Sequence, residues 1–181
     1  MFLPQNSCLS PYRAMASAGA IICGPAPTFP ALSNCTAPPP MQTSCYYAHP
    51  TTNFTNPCTA LNPLANVVSI HSDAENKFVG SLVLNKSSTT VSNLIGLTLT
   101  HTSATSYAPT NSAAWLDNTP VDFGNPVVSP GVYPWRSTAP DNIQTPANCV
   151  LQYVAVSPPV WEDLDCNLIA ATGVTTTVCK L

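Results

Sequence analysis

Eight cysteines constrain this chain of 181 residues before any helix or strand is assigned. Cys8, Cys23, Cys35, Cys45, Cys58, Cys149, Cys166 and Cys179 are well spread, and no Cys-x-x-Cys spacing occurs. A structural zinc site draws on closely paired thiolates, which this spacing does not supply. An even set of spread cysteines is a disulfide framework, and such frameworks belong to oxidising compartments. The count alone leaves the connectivity open.

Charge points the same way. Charged residues make up 7% of the chain, against about 25% in an ordinary soluble protein. The basic residues Arg13, Lys77, Lys86, Arg136 and Lys180 are scattered, and the net charge is −3. No basic patch exists to neutralise phosphates, so nucleic acid is excluded as a partner. Three acceptor sequons, at Asn34, Asn53 and Asn85, fit a secreted, extracellular glycoprotein whose glycans keep a charge-poor surface soluble. No apolar run reaches the roughly 18 residues of a membrane span. The apolar piece "MASAGAII" is short and lies between Cys8 and Cys23, so it reads as mature chain from which any secretion signal has been removed.

Residues 1–34 read as an irregular, Pro-rich extension, and Cys35 to Cys45 as a bridged loop around three consecutive prolines. Strands are expected at 45–49, 67–70, 94–99, 148–156 and 173–181, the last with Val174, Thr176 and Val178 alternating. A short helix is expected in "NPCTALNP" (56–63). The strongest helix signal is "SDAENKFVGSLVLN", where Ser72 and Glu75 make a capping box. Ala74, Phe78, Val79, Leu82 and Val83 recur at helical spacing as its core face. Residues 100–147 carry only short apolar pieces, which marks a functional loop system. The layout is α+β.

Eight segments fall in one order: "CYYAH" (45–49), Cys58, "LANVVSIHSDAENKFV" (64–79), "LIGLTL" (94–99), "WLDNTPVDF" (115–123), "PWRSTAPDN" (134–142), "NCV" (148–150) and "WEDLDC" (161–166), closed by "VCK" (178–180). Residues 35–181 thereby resemble the C-type lectin-like domain in its long form. The resemblance implies two short helices, small antiparallel sheets and a long loop region, stapled by disulfides. It implies the bridges Cys58–Cys179, Cys149–Cys166 and Cys35–Cys45, with Cys8–Cys23 as an addition belonging to the extension. A bridge closing so long a loop stabilises by up to about 4–5 kcal/mol in the chain-entropy model.

In sugar-binding members of that family, one calcium ion in the long loop is held by carboxylates and amides that also bind two sugar hydroxyls. Calcium needs six to eight oxygens, and a diol completes the shell. Here the resemblance places Asp141, Glu162 and Asp163 as the metal ligands, and Asp141, Asn142, Glu162 and Trp135 as the ligand-binding set. Gln144 and Asn148 are nearby substitutes. Ala139 and Ala147 stand where two further ligands are expected. Pro140 is expected to follow a cis peptide bond. Trp161 is expected in the core and Asp165 in a solvated turn. Trp115 and Trp135 are expected to pack inside the loop system, which needs a small core of its own, while Tyr107 and Tyr133 are left open.

The letters "HSD" at 71–73 do not make a hydrolytic triad, because triads converge in space and Ser72 is explained as a helix cap. His49, His71 and His101 are too far apart in sequence to imply a metal site. No enzymatic constellation is present. Two readings stand. The first is an extracellular recognition module for glycans or glycoproteins, with calcium as the one conceivable cofactor. The second is a calcium-independent structural or protein-interaction module in an extracellular assembly or self-assembly.

Overall fold

The computed structural model describes residues 12–17, 20–25, 44, 46–50, 57–86 and 91–181. In place of an irregular extension, two strands, β1 (Tyr12–Ser17) and β2 (Ala20–Pro25), pair antiparallel as a separate two-stranded sheet. The expected Cys8–Cys23 and Cys35–Cys45 bridges and the sequons at Asn34 and Asn53 lie outside the described residues.

The remaining strands form one sheet. They are β3 (Tyr46–Pro50), β4 (Asn66–Val67), β5 (Ser92–His101), β6 (Thr110–Trp115), β7 (Cys149–Tyr153), β8 (Val160–Leu164) and β9 (Thr176–Lys180). The order is β3-β9-β5-β7-β8, with β4 added to β9 and β6 to β5. All pairings are antiparallel except the short parallel contact of β5 with β9, at Leu94 and Thr177. β9 is buried on both faces from Thr176 to Cys179 rather than alternating, because β3, β4 and β5 all border it. The 67–70 strand is shorter than its apolar run suggests. After Val67 the chain leaves the ladder but stays buried through Ile70.

One helix, α1 (Asp73–Lys86), covers the first face of the sheet. Ser72 Oγ accepts from the Glu75 N–H at 3.2 Å. The other half of the capping box is not made. The Glu75 carboxylate instead accepts from the His71 N–H at 2.7 Å, from the Tyr46 hydroxyl and from Lys180 Nζ at 2.8 Å. The buried stripe of α1 is Glu75, Asn76, Val79, Gly80, Leu82 and Val83; Val79, Leu82 and Val83 are core as expected, while Ala74 is exposed. Two polar residues occupy the first inward turn because tertiary partners meet them there.

Within "NPCTALNP", residues 57–63 form successive turns rather than a helix. Leu61 and Asn62 both donate backbone N–H groups to the Cys58 carbonyl. The second helical element is a 3-10 helix, Cys166–Thr172, capped by the carboxylate of Asp165 accepting from the Asn167 N–H at 2.9 Å. Asp165 is therefore a cap, not merely a solvated turn residue. On this second face a smaller cluster gathers Cys58, Ala65, Val67, Leu94, Leu151, Leu164, Ile169, Val174 and Cys179. The two implied bridges whose cysteines are both described form: Cys58–Cys179, spanning 121 residues, and Cys149–Cys166, spanning 17.

Candidate functional site at the base of the long loop

The long loop is anchored to the free edge of β8. The Trp161 N–H donates to the Pro134 carbonyl at 2.7 Å, and the Arg136 N–H donates back to the Trp161 carbonyl at 2.9 Å. Side chains lock this junction. Trp161 is fully buried and meets Trp115, Trp135 and Phe123 edge-on, with centroids 5.6–5.9 Å apart. Such T-shaped pairs add to burial because the positive ring edge faces a negative ring face. Gly124, at φ 66°, fits where a Cβ would stand 2.4 Å from the Trp161 ring. Trp115 and Trp161 are thus core, as expected. Trp135 is only 3% exposed and gives its indole N–H to the Gly124 carbonyl at 2.7 Å, so it offers no ring face to a sugar.

Beneath this cluster lies Asn76, which the sequence reading did not single out. Its Oδ1 accepts from Trp161 Nε1 at 2.9 Å and Gln152 Nε2 at 2.6 Å. Its Nδ2 donates to the Pro159 carbonyl at 2.8 Å and the Tyr133 hydroxyl at 3.1 Å. One fully buried amide thereby ties α1 to β7, β8 and the loop. A capping-box helix start followed by a polar pair was the available signal, but polar residues after a cap ordinarily face water.

The expected ligand carboxylates are not gathered around a common point. Asp163, 5% exposed, spends both oxygens on the backbone: Oδ1 accepts from the Asp141 N–H at 2.9 Å and Oδ2 from the Asn142 N–H at 2.7 Å. Burial pushes its carboxyl pKa up, against the lowering effect of those two N–H bonds. Asp141 turns its Oδ1 to the Ile143 N–H at 3.0 Å. Glu162 points the other way along β8 and pairs with Arg136 at 2.7 Å. That carboxylate raises the guanidinium pKa, and the guanidinium carbon lies 5.7 Å from the centre of the Tyr153 ring.

Asn142, fully buried with φ 51°, donates its amide to the Thr105 carbonyl at 2.8 Å and the Ser103 carbonyl at 3.3 Å, and accepts from the Ala147 N–H at 2.9 Å. It is a strut of the loop and not a ligand contact. The Ala139–Pro140 bond is cis, as expected. Ala139 and Ala147 are buried at 2% and 0%, and neither side chain brings an oxygen.

These residues do not fit a calcium ion. The ion needs six or more oxygens free to turn inward. Here Asp163, the most buried of the three, has each oxygen engaged by a backbone N–H, and Glu162 is turned to Arg136. Among the described residues no three His, Cys, Asp or Glu side chains are placed to hold a metal.

A second polar cluster lies at the start of α1. His71 Nδ1 is 2.7 Å from Asp122 Oδ1, and its Nε2 is 3.1 Å from Ser69 Oγ and from Thr119 Oγ1. A Ser–His–Asp arrangement does exist in space, built from Ser69, His71 and Asp122 and not from the consecutive letters. It does not activate Ser69. That hydroxyl is fully buried, and it gives its proton to Asp117 Oδ2 at 2.5 Å. His101 bonds the carbonyls of Ala108 and Ala147. Of the tyrosines left open, Tyr133 donates to Asp73 at 2.5 Å. Tyr107 is 73% exposed and is set beside Asp141 by its N–H bond to the Asp141 carbonyl at 2.6 Å. Asn85 is exposed near the end of α1. No helix among the described residues is long and apolar enough to cross a membrane.

No family model matches the chain, and no curated protein matches it. Solved structures do. Human lithostathine is 22% identical with a TM-score of 0.57, over 84% of this chain and 98% of its own. The C-type lectin CEL-I from Cucumaria echinata is 19% identical with a TM-score of 0.54, over 78% and 91%. The C-type lectin domain of murine dendritic cell inhibitory receptor 2, solved in complex with an N-glycan, is 20% identical with a TM-score of 0.50, over 81% and 98%.

Proposed function

Starting from a chain with the C-type lectin-like fold, we propose a non-enzymatic extracellular recognition module that binds glycans or glycoproteins through its long-loop face without a resident calcium ion. The observation that carries this reading is Asp163. A protein carboxylate accepting two loop N–H groups holds the loop base that an ion organises in the sugar-binding members. Ligand contact then falls to side chains around that base that are exposed, the Tyr107 ring and Arg136, or half-buried, Glu162 and Asp141. Aromatic faces and a charged hydrogen-bonding pair suit the apolar faces and hydroxyls of a sugar. The disulfides and the exposed Asn85 sequon support a secreted location. Residues 1–34 form a separate extension in the same reading, and residues 35–181 the recognition domain.

A protein-interaction module in an extracellular assembly is the second reading. It is favoured by one observation: the loop tip exposes Val127, Val128 and Val132 at 48%, 76% and 57%.

Glycan-array binding of the whole chain, with calcium and with a chelator, tests the proposal. Binding that is equal in both conditions and weakened by Tyr107→Ala is expected. Binding abolished by the chelator refutes the ion-free mechanism. No glycan binding in either condition refutes glycan recognition and leaves the loop tip as the surface to pursue.

A further inference from the structure

The two faces of the sheet are covered unequally. α1 runs along the first. On the second, among the described residues, the turns after Pro57 and the 3-10 helix Cys166–Thr172 reach the strands, and a cleft of about 540 Å³ remains between them. Its floor includes Cys58, Ala65, Val67 and Leu94, each at most 6% exposed. Leu116, 49% exposed, is part of its lining. Asn66, Thr98 and Asn167 add amide and hydroxyl groups, and no Asp, Glu, Lys, Arg or His lines it among the described residues.

Disulfides tie both covers to the sheet. Cys58 is bonded to Cys179 on β9, and Cys166 to Cys149 on β7. Each cover is therefore tied at a fixed strand position. Protein interiors normally fill such space with side chains. A preformed, mainly apolar cleft within the range of about 300–1,000 Å³ has the size and character of a small-molecule site.

We propose that this cleft binds a small, neutral, predominantly apolar molecule of lipid type, whose polar part is no more than a hydroxyl or amide. The absence of ionisable lining decides the charge class. A carboxylate, phosphate or ammonium placed against Val67 and Leu94 would lose its hydration and gain no partner. The amides of Asn66 and Asn167 and the Thr98 hydroxyl supply hydrogen bonds suited to a neutral polar group. Thr98 Oγ1 already gives its proton to the Ala114 carbonyl at 3.0 Å, so it offers an acceptor. The site lies across the sheet from α1 and does not depend on glycan binding.

The test is a fluorescence titration of the full chain with Nile red, a neutral apolar dye. Saturable binding is expected, together with shifts of the Leu94 and Val67 methyl resonances. Ala170→Trp, at an exposed position of the 3-10 helix, should plug the cleft. Leu116→Asp should place a carboxylate in its lining. Each is expected to weaken dye binding by at least about tenfold. Two results overturn the proposal. One is the absence of saturable binding by the full chain, including the case where another part of the chain fills the cleft. The other is binding that leaves the Leu94 and Val67 methyls unmoved. The methyl readout decides the matter even if a variant folds poorly.

Discussion

Replacing Asn76 by alanine should cost far more than an ordinary polar substitution on a helix. Four side-chain hydrogen bonds disappear, but their losses are unequal. Gln152 Nε2 keeps its bond to the Asn76 carbonyl at 2.8 Å, and the Tyr133 hydroxyl keeps Asp73 at 2.5 Å. The Trp161 indole N–H, in a fully buried ring, and the buried Pro159 carbonyl lose the partner described for each. Two orphaned buried groups at about 1–3 kcal/mol each give about 2–6 kcal/mol. The better helix propensity of alanine returns roughly half a kcal/mol. The expected net loss is about 1.5–5.5 kcal/mol, a large part of the roughly 5–15 kcal/mol that holds an ordinary domain. Urea unfolding measures the loss, and exchange of the Trp161 indole proton locates it. A loss under about 1 kcal/mol with that proton still protected would refute the assignment of Asn76 as the tie between helix and loop.

Gly96 and Gly173 make a matched pair. A Cβ at Gly96 would stand 2.4 Å from the Val67 carbonyl oxygen, which is backbone and cannot rotate away. Gly96→Ala is therefore expected to cost about 2–3 kcal/mol or more, whereas Gly173→Ala meets nothing within 4 Å and should cost only the roughly 1–2 kcal/mol of its left-handed φ. Equal unfolding midpoints for the two variants would contradict this. Burial, and then the hydrogen bond to Asp73, push the Tyr133 hydroxyl up to about 12. Its folded value lies above the unfolded 10.0, so its contribution is present at neutral pH and is lost as pH rises between them. Tyr133→Phe should remove one late phenolate transition from an absorbance titration, and an unchanged titration curve would count against it. Asp163→Ala should expose the Asp141 and Asn142 amides to hydrogen exchange, and millimolar calcium should not restore their protection. Restoration by calcium would mean that an ion site does exist there.

Much of the fold was legible because it rests on local chemistry. β3, β5, β7 and β9 each announce themselves by apolar or aromatic runs, and α1 by its Ser72 cap. β6 did not, because "TNSAAW" is small and polar and lies at the outer side of β5, where only Trp115 is buried. β8 was hidden by its acids. "WEDLDC" looks like a solvated cluster, yet Trp161, Asp163 and Leu164 are buried while Glu162 faces Arg136. The first inward turn of α1 was misread for a related reason, while Val79, Leu82 and Val83 are core as expected. Glu75 and Asn76 read as solvent-facing, and only Lys180, Tyr46 and Trp161, brought from distant parts of the chain, make their burial affordable.

By itself, the sequence determined the start of the helix at Ser72 and the lack of side-chain oxygens at Ala139 and Ala147, which follow from residue identity and order. Its resemblance to the C-type lectin-like domain implied the Cys58–Cys179 and Cys149–Cys166 pairing and the cis bond before Pro140, and all three form. What the surviving carboxylates do was decided only in three dimensions. Asp141, Glu162 and Asp163 have the composition of an ion site. Whether a carboxylate oxygen faces an ion, a backbone N–H or a guanidinium depends on which groups the fold brings within about 3 Å of it. Here the loop brings two amides to Asp163 and an arginine to Glu162, and the site becomes part of the protein's own hydrogen bonding.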